Sequence, residues 1–376
     1  MHGDNVMIIN KTLRINANAS AISLCAILFL IMASGCVPPA FNPNISSNPI
    51  DVIERSPRIY HIEFRAIAES LSISLLTGYL ERDLVRAPRS AYGIGVEEFG
   101  DSVAMNEYLV ALRALDQGNF DDAIFHLRKT VDRNPEFEKP YILLADMLRD
   151  HGEIRSAMQL YLKVLSLDQT NSRALSGLAR CMLMVGDIDK ARSAFIDAVI
   201  FDRSNFDAWD GLRLIAENSG MTVKVLDAPE LSYVAKRKGR HFDLVIDDSV
   251  KDCPAVATAW IVYASQRATW RYEGKYKLQT LKTKYRHTLE EDVDCYMTLA
   301  AAWKLLSKED TGGCDVSYLS RLVRLAEDGY LIPHVLFDYN CARDPSLGKR
   351  FKPETVDLIR QYINRYVIVP KNGASG

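Results

Sequence analysis

The chain has 376 residues, 48% hydrophobic and 25% charged, with 46 Lys and Arg against 48 Asp and Glu. That length holds two domains. A formal charge of −2 carries no nucleic-acid footprint, so nucleic acid is set aside as a partner.

The N-terminus bears on the compartment. Lys11 and Arg14 precede an uncharged apolar run from Ala21 to Met32. The run is too short to span a bilayer but suits the core of a signal peptide. Met32-Ala33-Ser34-Gly35-Cys36 follows, then Val37-Pro38-Pro39. This stretch resembles the bacterial lipobox, although leucine is usual where Ala33 stands. The resemblance implies a leader over 1–35, cleavage before Cys36 and a lipid on the Cys36 thiol; an ordinary secretory signal cut near Gly35 is the alternative. Val37, in place of an aspartate, implies the periplasmic face of the outer membrane under the enteric-type sorting rule. Met7 is an alternative start. Residues 36–57 hold five prolines among Asn and Ser and read as an extended tether. Over 58–103, Ile59, Ile62, Ala66, Ile73, Leu76 and Leu80 recur at mixed helical spacing. A glycine-containing stretch follows, so a helical cap and a loop are expected there.

A fixed interval of 34 residues then takes over. Gly118, Gly152, Gly186 and Gly220 keep it, as do Ala111, Ala145 and Ala179, and Ala123, Ala157 and Ala191. The alanines let paired helices approach closely, and each glycine ends the first helix of a pair in a left-handed turn. Units run at 104–137, 138–171 and 172–205, with one more first helix at 206–219, giving an array over 104–220. Period and positions together resemble the tetratricopeptide repeat. The expected fold class is all-α: a helix-turn-helix solenoid of this kind with a C-terminal helical module.

The resemblance implies a concave surface lined by the first helix of each pair, used to bind a protein partner. Its expected side chains are Tyr108 and Leu112, then Lys139, Ile142, Asp146 and Arg149. Arg173, Ser176, Arg180 and Met184 follow, with Asp210 and Glu217 closing the series. Relatives that grip a C-terminal carboxylate use a lysine–asparagine clamp. Tyr108 and Leu112 stand at the corresponding places, which disfavours that mode.

Residues 221–370 form the C-terminal module. Helices are expected at 254–272, 288–309, 314–328 and 353–366, with Thr288 and Glu291 as a capping box and Pro353 opening the last helix. The runs at 221–226 and 242–246 suit extended chain, and 371–376 should fray. Cys181 suits a small buried hydrophobe. Export favours disulfides among Cys253, Cys295, Cys314 and Cys341, with free thiols as the alternative. Three connectivities are open; placement in loops favours Cys314–Cys341, with Cys253–Cys295 as the second pair. Two basic clusters, Lys236, Arg237, Lys238 and Arg240, then Arg267 and Arg271 onward, are candidates for anionic lipid or glycan. The competing reading is a solvated loop with core aromatics. No catalytic motif, metal-ligand spacing or cofactor signature is present, and no small-molecule ligand is expected. His287 with Glu290-Glu291-Asp292 resembles an acid/base cluster only superficially. The expectation is a non-enzymatic, lipid-anchored adaptor; an enzyme or an anion-binding domain recruited by the repeats is the alternative.

Overall fold

The computed structural model describes residues 7–9, 48–67, 102–226, 228–308 and 313–371. The apolar leader core, Cys36, the loop before residue 102 and the tail beyond 371 lie outside them. Strand β1 is Met7–Ile9, helix α1 is Pro49–Glu54 and strand β2 is Ile59–Phe64. Seven helices follow: α2 (Ser102–Asp116), α3 (Phe120–Arg133), α4 (Glu138–Asp150), α5 (Ile154–Leu167), α6 (Ser172–Met184), α7 (Ile188–Phe201) and α8 (Phe206–Asn218). Next come β3 (Met221–Val223), β4 (Ser232–Lys236) and β5 (His241–Ile246), then α9 (Pro254–Arg271), α10 (Lys275–Thr280), α11 (Leu289–Leu306) and α12 (Ser317–Glu327). The chain passes through Leu331–His334, π-helical Val335–Asn340 and Cys341–Arg343 to α13 (Pro353–Tyr362) and β6 (Ile368–Pro370). Contacts divide the chain into two compact units. One is drawn from Met1–Val85 and Ala228–Tyr339, the other from Arg86–Asp227 and Asn340–Gly376.

The repeat unit contains α2 to α8. Gly118, Gly152, Gly186 and Gly220 have φ of 73°, 83°, 83° and 70°, so each closes its first helix in the left-handed turn that the period requires. The six periodic alanines are all fully buried. Asn171 and Asn205 cap α6 and α8 by accepting from Ala174 N and Ala208 N, each at 3.0 Å. Their amides reach back one repeat, to Glu138 Oε2 at 2.8 Å and to Ser172 Oγ at 2.7 Å. Each cap is therefore also an inter-repeat tie. Glu107 on α2 contacts His126 Nδ1 on α3 at 2.6 Å.

Packing between repeats follows a size rule. Tyr161 and Phe195 are buried on second helices one period apart, and each lies against a glycine of the next first helix, Gly177 and Gly211. A Cβ on either glycine would overlap the ring. The corresponding positions at the first interface are Leu127, in the core of the array, and Leu143, packed against that core.

Helix α8 has no second helix of its own, as expected. The chain end returns to this unit instead. Strand β6 pairs antiparallel with β3, and Lys224 N donates to Val367 O at 2.7 Å. Helix α13 lies on α7, where Arg360 bonds Asp197 at 2.9 Å and Arg192 bonds Asn364 at 2.6 Å. Gly348 comes so close to the Ile200 carbonyl that no Cβ would fit. The expected module over 221–370 is thus redrawn: its first residues and 340–370 belong with the repeat array, and 228–339 belong to the other unit.

That other unit is built on a sheet of order β1-β2-β5-β4, in which β2 and β5 run parallel and β4 antiparallel to β5. The segment at 59–64, expected as helix, is a strand. Tyr60, Ile62, Phe242, Leu244 and Ile246 alternate onto one face and bury there, a period of two that mixed helical spacing concealed. Helix α1 replaces the last part of the expected tether: Asn48 caps it, Pro49 opens it and Ile53 is buried. Strand β1 lies within the expected leader and pairs with β2. Removal of 1–35 would leave three strands. The four C-terminal helices appear at 254–271, 289–306, 317–327 and 353–362, as periodicity required, and Thr288 caps α11.

The disulfide expectation is corrected. Cys253 bonds Cys314, with Cα atoms 6.3 Å apart, while Cys295 and Cys341 are buried free thiols. Cys295 lies on the inner face of α11, where burial pushes its thiol up and leaves it unreactive. Non-reducing peptide mapping should recover one linked pair, Cys253–Cys314, and alkylation after unfolding should find Cys181, Cys295 and Cys341 reduced. Gly211→Ala should destabilise by about 1–3 kcal/mol in a denaturant melt, and Phe195→Leu in the same chain should recover part of that loss.

Candidate functional site

The first-helix face is held by a hub at Asp146. Tyr161, fully buried on α5, donates its hydroxyl to Asp146 Oδ1 at 2.5 Å. Burial and the adjacent carboxylate both push the phenol well above its ordinary range, so it stays a donor. Arg149 donates to Asp146 Oδ1 at 3.1 Å and to the Tyr161 hydroxyl at 3.0 Å. Arg173, on the next first helix, donates to Asp146 Oδ2 at 3.0 Å. One repeat further on, Arg180 pairs with Asp207. Asp146 to Arg173 and Arg180 to Asp207 occupy the same two repeat positions with the charges exchanged. The equivalent places at the first interface are Leu112 and Lys139, which cannot form a charge pair.

The expected groove residues therefore divide. Tyr108 is half-buried, edge-on to Phe137 with ring centroids 5.1 Å apart, and Leu112 is half-buried beside it in sequence register. Lys139 is exposed, and Met184 is 59% exposed. Ile142 and Ser176 are corrected out of the open face. Both are buried, Ile142 in the hydrophobic core of the array and Ser176 beneath the amide of Asn205. Asp210 is exposed and bonded to Arg213 of its own helix at 2.8 Å; Glu217 is exposed. Arg149 lies on α4, while Arg173 and Arg180 share α6 rather than occupying successive first helices, and each already holds a carboxylate. Sequence spacing placed the side chains; it did not reveal that they neutralise one another across repeats, which the interval of 27 residues common to both pairs would have disclosed.

The basic clusters do not form the expected anion site. Lys236, Lys238 and Arg240 are exposed, while Arg237 is bonded to Asp243 at 2.6 Å and to Glu63 at 3.2 Å. Arg271 lies over the rings of Tyr272 and Tyr285. Arg267 is buried. It contacts Asp292 at 2.6 Å, Glu230 at 3.2 Å and Glu291 at 3.4 Å, and donates to the Tyr263 and Tyr339 hydroxyls at 2.7 and 3.0 Å. Burial opposes its charge, but the phenols and Asp292 outweigh that and hold it ionised. Trp270 and Tyr276 are core residues, as the alternative reading required.

His287, Glu291 and Asp292 meet inside this cluster. His287 Nε2 lies 2.8 Å from Asp292 Oδ2, and Tyr285 donates to Glu291 Oε2 at 2.8 Å. Glu291 thus belongs to a buried charge cluster rather than to a solvated helix start. Glu230, Tyr263 and Tyr339 joined the cluster from distant sequence, with no local signal. Among the described residues no group of His, Cys, Asp and Glu has the arrangement to hold a metal. Asp247 makes a turn, accepting from Ile67 N and Ser249 N at 2.8 and 2.9 Å.

Stacked hairpins of 34 residues, each closed by a left-handed glycine and built around the same two alanines, are tetratricopeptide-type repeats. The family model for anaphase-promoting complex, cyclosome, subunit 3 matches residues 116–198. Among solved structures, the first such domain of Spaghetti (RPAP3), bound to an HSP90 peptide, is 18% identical; the likeness covers 31% of this chain and 92% of that one, with a TM-score of 0.30. The Yersinia enterocolitica type III secretion translocator chaperone SycD is 18% identical over 32% and 98%, at 0.30. MamA protein is 15% identical over 60% and 92%, at 0.29. At these TM-scores the likenesses bear on neither partner nor activity. No curated protein shows significant similarity to the chain.

Two outcomes follow from the side-chain geometry. Arg149→Glu should destabilise by about 1–3 kcal/mol, because it strands the bonded Tyr161–Asp146 pair. Arg173→Glu, whose side chain is 69% exposed, should stay within about 1 kcal/mol of wild type in the same melt. The second outcome concerns pH. Burial opposes the charge on His287, but Asp292 and Glu291 outweigh it and raise the imidazole above its ordinary value of about 6.5. Its contribution is then complete below about pH 6.5 and lost as pH rises through the raised folded value. The melting-temperature advantage of wild type over His287→Gln should be about 2–4 °C in mild acid and shrink toward alkaline pH. His61, which burial shifts the other way, is common to both proteins and cancels.

Proposed function

We propose that the protein is a scaffold that holds a protein partner on the first-helix face of its repeats, tethered by a lipid on Cys36 to the periplasmic face of the outer membrane and serving envelope assembly. The observation that carries the reading is the open face itself. Tyr108, Leu112, Lys139, Arg173, Arg180, Asp207, Asp210 and Met184 reach it from the four first helices α2, α4, α6 and α8, and ion pairs hold Arg173, Arg180, Asp207 and Asp210. Side chains already held in place lower the ordering cost of binding. Export is supported by the lipobox-like stretch ending at Cys36 and by the Cys253–Cys314 disulfide, since disulfides persist in oxidising compartments. The anion-binding alternative loses Arg267, which is committed inside its unit.

The test is crosslinking in intact envelopes, comparing wild type with Arg173→Glu/Arg180→Glu. The variant should keep its helical spectrum and lose the crosslinked partner; equal capture by both would place the working surface elsewhere. Arg149 must stay intact in such a variant. A fragment ending at 220 is unsuitable, because the chain end that closes the array would be missing. Mass spectrometry of the mature N-terminal peptide should find a diacylated or triacylated Cys36. An unmodified N-terminus at another residue would remove the anchor from the reading.

A further inference from the structure

The partner's chemistry is encoded in how the charges on the first-helix face are used up. Asp146 is shared by Arg149 and Arg173, and Arg149 also contacts Asp150. Arg180 and Asp207 neutralise each other, and Asp210 is taken by Arg213. Among the described residues, Lys139 at the start of α4 and Glu217 near the end of α8 have no ion-pair partner, and both are exposed. The face is therefore poled. Its cationic end is Lys139, which adjoins the half-buried Tyr108 and Leu112. Its anionic end is Glu217, which adjoins the exposed Met184 and Leu214.

We infer, resting on the groove reading above, that the occupant is an extended protein segment with separated charges: acidic residues at the end lying over Lys139, basic residues at the end lying over Glu217, and apolar side chains between. A uniformly acidic segment is not the fit, because the central arginines already hold carboxylates and the far end would repel it. The span can be bounded. Helices α4 and α8 are two interaxial steps apart, about 16–20 Å. Lys139 and Glu217 also differ by ten positions along the repeat helix, about 15 Å of rise. The diagonal is about 22–25 Å, which about seven extended residues cover at roughly 3.3 Å each. The segment crosses the helices obliquely, in one direction only.

The probe is a phage-displayed library of random 12-residue peptides, panned on the purified full-length protein, with Arg173→Glu/Arg180→Glu as the groove control. The expected result is a pool that depends on the groove and places acidic and basic residues about seven positions apart in one fixed order. Exchanging the poles, Lys139→Glu with Glu217→Lys, should weaken those peptides about tenfold and enrich the reverse order. Both positions are exposed and unpaired, so the exchange leaves the fold intact. A pool that depends on the groove but shows no charge order, or that ignores the pole exchange, overturns this inference and leaves the groove reading standing. A pool insensitive to Arg173→Glu/Arg180→Glu, or no enrichment at all, overturns the groove reading and this inference with it.

Discussion

How closely one helical hairpin approaches the next governs the repeat unit. At two interfaces an aromatic ring, Tyr161 or Phe195, fills the space that Gly177 or Gly211 leaves by lacking a side chain. At the first, Leu127 and Leu143 stand at the corresponding positions in the same core. Interiors pack at crystal-like density, so neither arrangement tolerates an added methyl without displacement. Close approach in turn brings successive first helices near enough for their surface charges to meet. The ties from Asp146 to Arg173 and from Arg180 to Asp207 depend on that distance. So do the bridging caps of Asn171 and Asn205. The surface chemistry is thus a consequence of the core.

The two units solve the problem of buried charge differently. In the repeats, the arginines sit at the rim, their carboxylates are partly solvated, and the pairs contribute orientation more than stability. In the other unit, Arg267 is enclosed with Glu230, Glu291, Asp292 and two tyrosine hydroxyls. Removing charges from water costs several kcal/mol per ion unless each is compensated. Here the compensation comes from four separate stretches of chain, so the cluster fixes how those stretches are arranged. His287 extends it and makes part of the arrangement sensitive to pH. This use of Arg267 explains why a segment rich in cations and aromatics in sequence does not present them together at its surface.

Closure of the array by its distant chain end has a similar logic. A solenoid exposes an apolar face at its last helix unless something covers it. Helix α8 lacks a second helix of its own, and the stretch from Pro345 to Lys371 covers α7 and pairs with β3 instead. The crowding of Gly348 against the Ile200 carbonyl shows how near that stretch lies. The repeats and their cap are therefore one compact unit despite more than a hundred intervening residues.

Periodicity made the repeats legible. The positions of Gly118, Ala123 and their successors are dictated by local geometry, a left-handed turn and a close helix pair, and local geometry is written in consecutive residues. The same holds for α9, α11, α12 and α13, whose apolar faces recur at helical spacing, and for the Thr288 cap. The sheet was less legible, because Ile59 to Phe64 is short and its partner β5 lies far along the chain. Pairing of the strands supplied what the pattern lacked. Which residues of the candidate face are open, and which are spent on one another, was decided only by packing: Ile142 and Ser176 turn inward because neighbouring repeats cover them, and Arg149 is committed because Tyr161 lies beneath it. The disulfide partner of Cys253, the enclosure of Arg267 and the return of the chain end to α7 are likewise contacts between residues remote in sequence. A single sequence records such contacts only as residue types, whereas the fold sets the distances between them.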